Sequence, residues 1–139
     1  MKERKIKNFV IENQIEELSS LVVKIEKLAE EWELSQELAM KINLVIEEAV
    51  SNIIFYAFND KKKHVIKISI SVEKGKLEIT FRDDGIPFNP LDQKKPDINL
   101  PAEERPVGGL GIFLISQMMD EMHYSRDKNQ NILILKKSI

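Results

Sequence analysis

The sequence predicts an α+β fold, a two-layer sandwich in which helices cover one face of a mixed or antiparallel sheet. Three observations predict it. Two long apolar patterns at helical spacing follow one another between residues 13 and 57. Two alternating apolar runs flank the pair Lys74-Gly75. All five prolines and four of the five glycines gather between the second of those runs and the third helical pattern.

The elements follow in order. Residues 5–11 read as a short first strand. Asn13 reads as a helix N-cap, with Glu16 three residues on completing a capping box. Ile15, Leu18, Val22, Ile25, Leu28, Ala29 and Trp32 then recur at helical spacing to about residue 32. Ser35 reads as the cap of a second helix, whose apolar positions Leu38, Ile42, Val45, Ile46, Ala49, Val50 and Ile53 carry it to about Ala57. Residues 64–73 alternate, Lys74-Gly75 makes a tight turn, and Leu77, Ile79 and Phe81 alternate again, which is the pattern of a β-hairpin. A third helix is expected over about Gly111 to Met119. Two more strands, about 121–126 and 131–137, are expected around the polar turn 127–130.

Bulk properties narrow the function. A chain of 139 residues suits a single domain, residues 1–139, with one sizeable core. Its net charge of -2 gives no electrostatic pull toward nucleic acid or anionic lipid, so neither is an expected partner. The run Lys61-Lys62-Lys63 reads as a solvated turn. With no cysteine there are no disulfides or thiolate metal sites, which fits a reducing compartment. No apolar run is long enough to span a membrane and the first residues lack a signal core, so the expected location is the cytoplasm.

Three constellations could carry chemistry. Glu48 and Asn52 lie four apart on the second helix and project from one face. A carboxamide there suits a hard cation with phosphate oxygens, and a carboxylate can take a proton. A plain solvent-facing pair beside Glu47 would show the same spacing. Asp83-Asp84-Gly85-Ile86-Pro87-Phe88 ends the second hairpin strand. Asp83 there can accept a hydrogen bond from an adenine amino group, with Gly85 allowing a flat ring close to the backbone. A simple Asp-Gly turn reads the same way. Gly108-Gly109-Leu110-Gly111-Ile112 runs into the third helix. Its free backbone N–H groups, with the helix dipole behind them, form either a phosphate cradle or a flexible hinge. It is neither a Walker A loop nor a Rossmann fingerprint. The Pro-rich stretch between the last two motifs, about residues 86–107, reads as a lid.

In combination these motifs resemble the GHKL ATPase superfamily, which includes gyrase and the histidine kinases. Glu48–Asn52 is similar to its N box, Asp83-Asp84-Gly85 to its G1 box and Gly109-Leu110-Gly111 to its G2 box. Asp84-Gly85-Ile86-Pro87-Phe88 and Gly109-Leu110-Gly111-Ile112-Phe113-Leu114-Ile115 look closest to the bacterial anti-sigma factor serine/threonine kinases of sporulation and stress response. The resemblance covers nearly the whole chain and implies the Bergerat ATP-binding fold. It implies ATP and Mg²⁺ as cofactors. Asn52 would be the Mg²⁺ ligand, Glu48 the general base and Asp83 the adenine acceptor beside Gly85. Gly109, Leu110, Gly111 and Ile112 would hold the phosphates. It also implies phosphorylation of a serine on an antagonist protein, sequestration of a sigma factor, and room for a homodimer. The alternative is an ATP-gated binding module without catalysis. One departure stands out. The superfamily's G1 box usually reads Asp-x-Gly-x-Gly, and Pro87 here takes the place of the second glycine, fixing φ and removing an N–H.

Overall fold

Alternation of apolar side chains builds the sheet. The structure, a computed structural model, describes residues 3–92 and 109–139. Five strands, β1 (Lys5–Glu12), β2 (Val65–Glu73), β3 (Lys76–Asp83), β4 (Glu121–Asp127) and β5 (Gln130–Ser138), lie in the order β1-β2-β3-β5-β4. All four pairings are antiparallel. Within the range the sequence allowed, the sheet is therefore antiparallel and not mixed. Two hairpins turn on two residues each. Lys74 and Gly75 have φ of 50° and 74°, and Lys128 and Asn129 have 50° and 64°. Consecutive positive φ values match the right-handed twist of the flanking strands.

Helices α1 (Glu17–Glu31), α2 (Gln36–Tyr56) and α3 (Gly109–Met118) cover one face. Their apolar sides meet the inward residues of the sheet in one core, where Leu21, Ile25, Val45, Ile46, Ile66, Ile68, Ile79, Phe81, Ile115 and Leu135 are fully buried. Each such side chain contributes about 1.5–3 kcal/mol of transfer free energy. The opposite face exposes Lys67 and Arg82. No helix among the described residues is long and apolar enough to cross a membrane.

Helix starts show where local signals win and where they lose. Ser35 caps α2 as its position predicts, its Oγ accepting from the Leu38 N–H at 3.1 Å. The expected capping box at Asn13 and Glu16 does not form. Helix α1 begins at Glu17, and Glu16 makes no side-chain cap. Asn13 is engaged elsewhere: its Oδ1 accepts from the His64 N–H at 2.9 Å, and its own N–H donates to the His64 carbonyl at 3.0 Å. Glu17, not Glu16, reaches back, accepting from the Glu12 N–H. The buried stripe of α1 is Leu18, Leu21, Ile25, Leu28 and Ala29, so Val22 is less central than its spacing suggested, and Ile15 lies exposed before the helix. Helix α3 starts at Gly109, two residues earlier than expected. Residues 93–108, which hold most of the expected lid and Gly108, lie outside the described residues.

Candidate functional site

A narrow cleft, with free space of only about 10 Å³, lies where α2, the end of β3, the first turn of α3 and β5 converge. It is lined by Asn52 and Ile53 of α2, Asp83, Phe88, Ile112 of α3 and Asn131 of β5. Apolar walls with a few converging polar groups are the usual make-up of a small-molecule site. Three of the lining residues, Asn52, Asp83 and Ile112, are among those the sequence singled out.

Asp83 is the last residue of β3 and is 4% exposed. The Gly85 N–H donates to its Oδ1 at 2.9 Å, and the Asn131 Nδ2 donates to the same oxygen at 3.0 Å. Oδ2 receives no donor from the described residues, so one carboxylate oxygen is left to accept from a ligand. Burial pushes the Asp83 pKa above its ordinary value of 3.8, against the lowering effect of those two hydrogen bonds.

Asn131 is the residue that sequence reasoning missed. The β3–β5 register sets it directly opposite Asp83. Its Nδ2 donates to Asp83 and to the Ile86 carbonyl, at 3.0 and 2.8 Å. Its Oδ1 accepts from the Phe88 N–H, the Tyr124 hydroxyl and the Arg126 Nη1. Every hydrogen-bonding position of this buried amide is used, which fixes its orientation and that of Asp83. Arg126 Nη1 also donates to the Gly85 carbonyl at 2.9 Å. The only sequence signal was a polar residue directly before the apolar run Ile132-Leu133-Ile134-Leu135.

Gly85 does not line this cleft. A Cβ at Gly85 would sit 2.2 Å from the Ala57 carbonyl oxygen, and the neighbouring Ile86 N–H donates to that same oxygen at 2.7 Å. The missing side chain at Gly85 is thus required by the packing of this turn on the end of α2. Pro87 is exposed, and the turn keeps its bond to Asn131 through the next N–H, that of Phe88.

On α2, Glu48 and Asn52 stand one turn apart and both face α3. A Cβ on Gly111 would fall 2.6 Å from Glu48 Oε2 and 3.7 Å from Asn52 Nδ2. Gly109, Leu110 and Gly111 are the first three residues of α3, so their N–H groups have no partner within the helix. Helix end, carboxylate and carboxamide therefore converge. Burial, and secondarily the charge of Glu47, raise the Glu48 pKa above 4.5 and make it a better proton acceptor. Asn52 is buried, and its Nδ2 has no hydrogen-bond partner among the described residues. Because amide nitrogen and oxygen are assigned by their surroundings, the buried amide atom left without a partner suits an oxygen ligand to a hard cation equally well. No group of three or more acidic, His or Cys side chains that could hold a metal occurs among the described residues, so a cation here would depend on Asn52 with oxygens from its own ligand.

Comparison with known proteins identifies the family and the fold. A serine-protein kinase RsbW of Bacillus mycoides is 32% identical over 99 residues, 68% of this chain and 61% of the relative's length. An anti-sigma F factor of Geobacillus kaustophilus is 27% identical over 100 residues, 71% of this chain and 68% of the relative. Among solved structures, a blue-light activated histidine kinase of Erythrobacter litoralis superposes with a TM-score of 0.53 at 19% identity, over 87% of this chain and 41% of that one, a similarity of fold. Residues 11–137 match the model of the histidine kinase-like ATPase domain, and the chain belongs to that family.

Proposed function

We propose that this domain binds ATP and transfers its terminal phosphoryl group to a serine of a protein antagonist, in a regulatory pair that also holds a sigma factor. The observation that carries the reading is the convergence of Glu48, Asn52 and the start of α3 beside a buried Asp83 with one free carboxylate oxygen. The names of the relatives, a serine-protein kinase and an anti-sigma factor, support the choice of acceptor and partner.

In this reading Asp83 Oδ2 accepts from the adenine amino group while Asn131 and the Gly85 N–H hold Oδ1. Ile53, Phe88 and Ile112 exclude water around the ring. The N–H groups of Gly109, Leu110 and Gly111 donate to phosphate oxygens, helped by the α3 dipole. Asn52 fits as the Mg²⁺ ligand, and Mg²⁺ bound there supplies neutralisation of phosphate charge. Glu48 takes the proton of the attacking serine hydroxyl. The remaining catalysis is positioning.

Incubation with labelled ATP, Mg²⁺ and the antagonist tests this. Glu48→Gln is expected to bind ATP with nearly unchanged affinity and to lose transfer by about 100-fold or more, the scale of a general base. Asp83→Ala is expected to lose ATP binding itself. Full transfer by Glu48→Gln would remove the base assignment, and unchanged ATP affinity in Asp83→Ala would remove the adenine assignment. The close seat of Gly111 on Glu48 favours a second reading, in which ATP spreads α2 and α3 and gates a partner without transfer. ATP-dependent partner binding with no labelled serine would select it.

A further inference from the structure

His64 lies just before β2, and its ring contacts two carboxylates at once. Nδ1 is 2.9 Å from Asp84 Oδ1, and Nε2 is 2.7 Å from Asp60 Oδ1. The ring stacks on Phe58, with centroids 4.5 Å apart and planes 19° apart. Its backbone is pinned to β1 through Asn13. The charges acting on the ring come from Asp60 and Asp84, while Lys62 acts on Asp60.

A neutral imidazole carries one N–H and can donate to only one carboxylate. The two contacts together require the imidazolium. Asp84 lies between Asp83 and Gly85, whose N–H holds Asp83 Oδ1. The clasp therefore ends one residue from the oxygen that is proposed to read adenine. We propose that His64, as an imidazolium, is a positioning residue that clasps the 83–86 turn to the loop after α2 and makes nucleotide affinity depend on pH. This rests on the ATP-binding reading. His64 does not line the cleft. Its influence passes through Asp84 to the Gly85 N–H and so to the orientation of Asp83. The hydrogen bond to Asp60, and after it that to Asp84, raises the His64 pKa above 6.5, so the clasp holds to higher pH than a free imidazole would allow and opens as pH rises through that raised value.

The test is calorimetric ATP affinity from pH 6 to pH 9 for the wild type and His64→Gln. Gln keeps a donor and cannot titrate. The nucleotide's own titration is common to both proteins, so the ratio of their affinities isolates His64. The wild-type advantage is expected to fall by roughly three- to tenfold across this range, the size of one ordinary net hydrogen bond. In parallel, the Gly85 amide resonance should titrate with the His64 ring in the wild type and stay flat in His64→Gln. A constant affinity ratio with ATP still bound overturns the positioning role and leaves the ATP reading intact. ATP binding by neither protein at any pH overturns the ATP reading and this inference with it. A Gly85 amide that does not follow the ring overturns the clasp whatever the affinities show.

Discussion

At the scale of single residues, the site is built from groups that cost the fold something. Asp83 is a carboxylate held in an apolar cleft, with burial raising its pKa. A buried charge short of partners destabilises, and its isosteric amide does not carry that cost. Asp83→Asn is therefore expected to melt at or above the wild-type temperature at pH 7 while losing ATP. A clear drop in melting temperature would show that the carboxylate stabilises the turn. Glu48, Asn52 and Asp83 were legible because their meaning is local, an i,i+4 pair on a helix and an acid beside a glycine. Asn131, Tyr124 and Arg126 were not. Asn131 meets Asp83 across 48 positions of sequence, and only the β3–β5 register creates that pair. His64 carries no local signal for the same reason, since Asp84 is 20 positions away.

At the scale of elements, local signals held wherever no distant partner competed. Ser35 caps α2, and both two-residue hairpins turn where the polar pairs stand. Asn13 failed as a cap because the pairing of β1 with the start of β2 claimed it first. The turn after β3 shows the converse, a contact between elements written into one residue. Gly85→Ala forces a Cβ onto the Ala57 carbonyl, and the obstacle is backbone at the end of a helix that cannot swing aside. The variant is expected to lose about 1–3 kcal/mol, the usual cost of overpacking, with an unchanged urea m-value. A urea midpoint equal to the wild type's would mean that the turn has room to move.

At the scale of the molecule, stability should fall as pH rises above neutrality. His64 has a folded pKa raised above 6.5, so its contribution is complete below 6.5 and is lost as pH climbs through the folded value. Glu48 and Asp83, also raised, act in the same direction at lower pH: the folded chain keeps protons that the unfolded chain has already released. Asp60, lowered chiefly by its bond to His64, acts oppositely and loses its contribution as pH falls below 3.8. Urea midpoints should therefore decline between pH 6 and pH 9 in the wild type, and less in His64→Gln. A rising midpoint over that range would contradict the assignment. The two-layer architecture and the order of elements along the chain were legible in the pattern of strands and helices. The direction of this pH dependence was not, because it arises from burial and from pairs that only the fold assembles.

The close approach of α3 to Glu48 at Gly111 has a thermodynamic consequence for any ligand that lies between α2 and α3. Position 111 leaves no room for even a Cβ beside Glu48, so a ligand lodged there would draw on conformers in which those helices stand further apart. The apparent dissociation constant is then the intrinsic one divided by the fraction of molecules already parted. A partner protein that wedges the helices open would raise that fraction and strengthen nucleotide binding without touching the nucleotide. By reciprocity, the nucleotide would strengthen the partner's grip by the same factor.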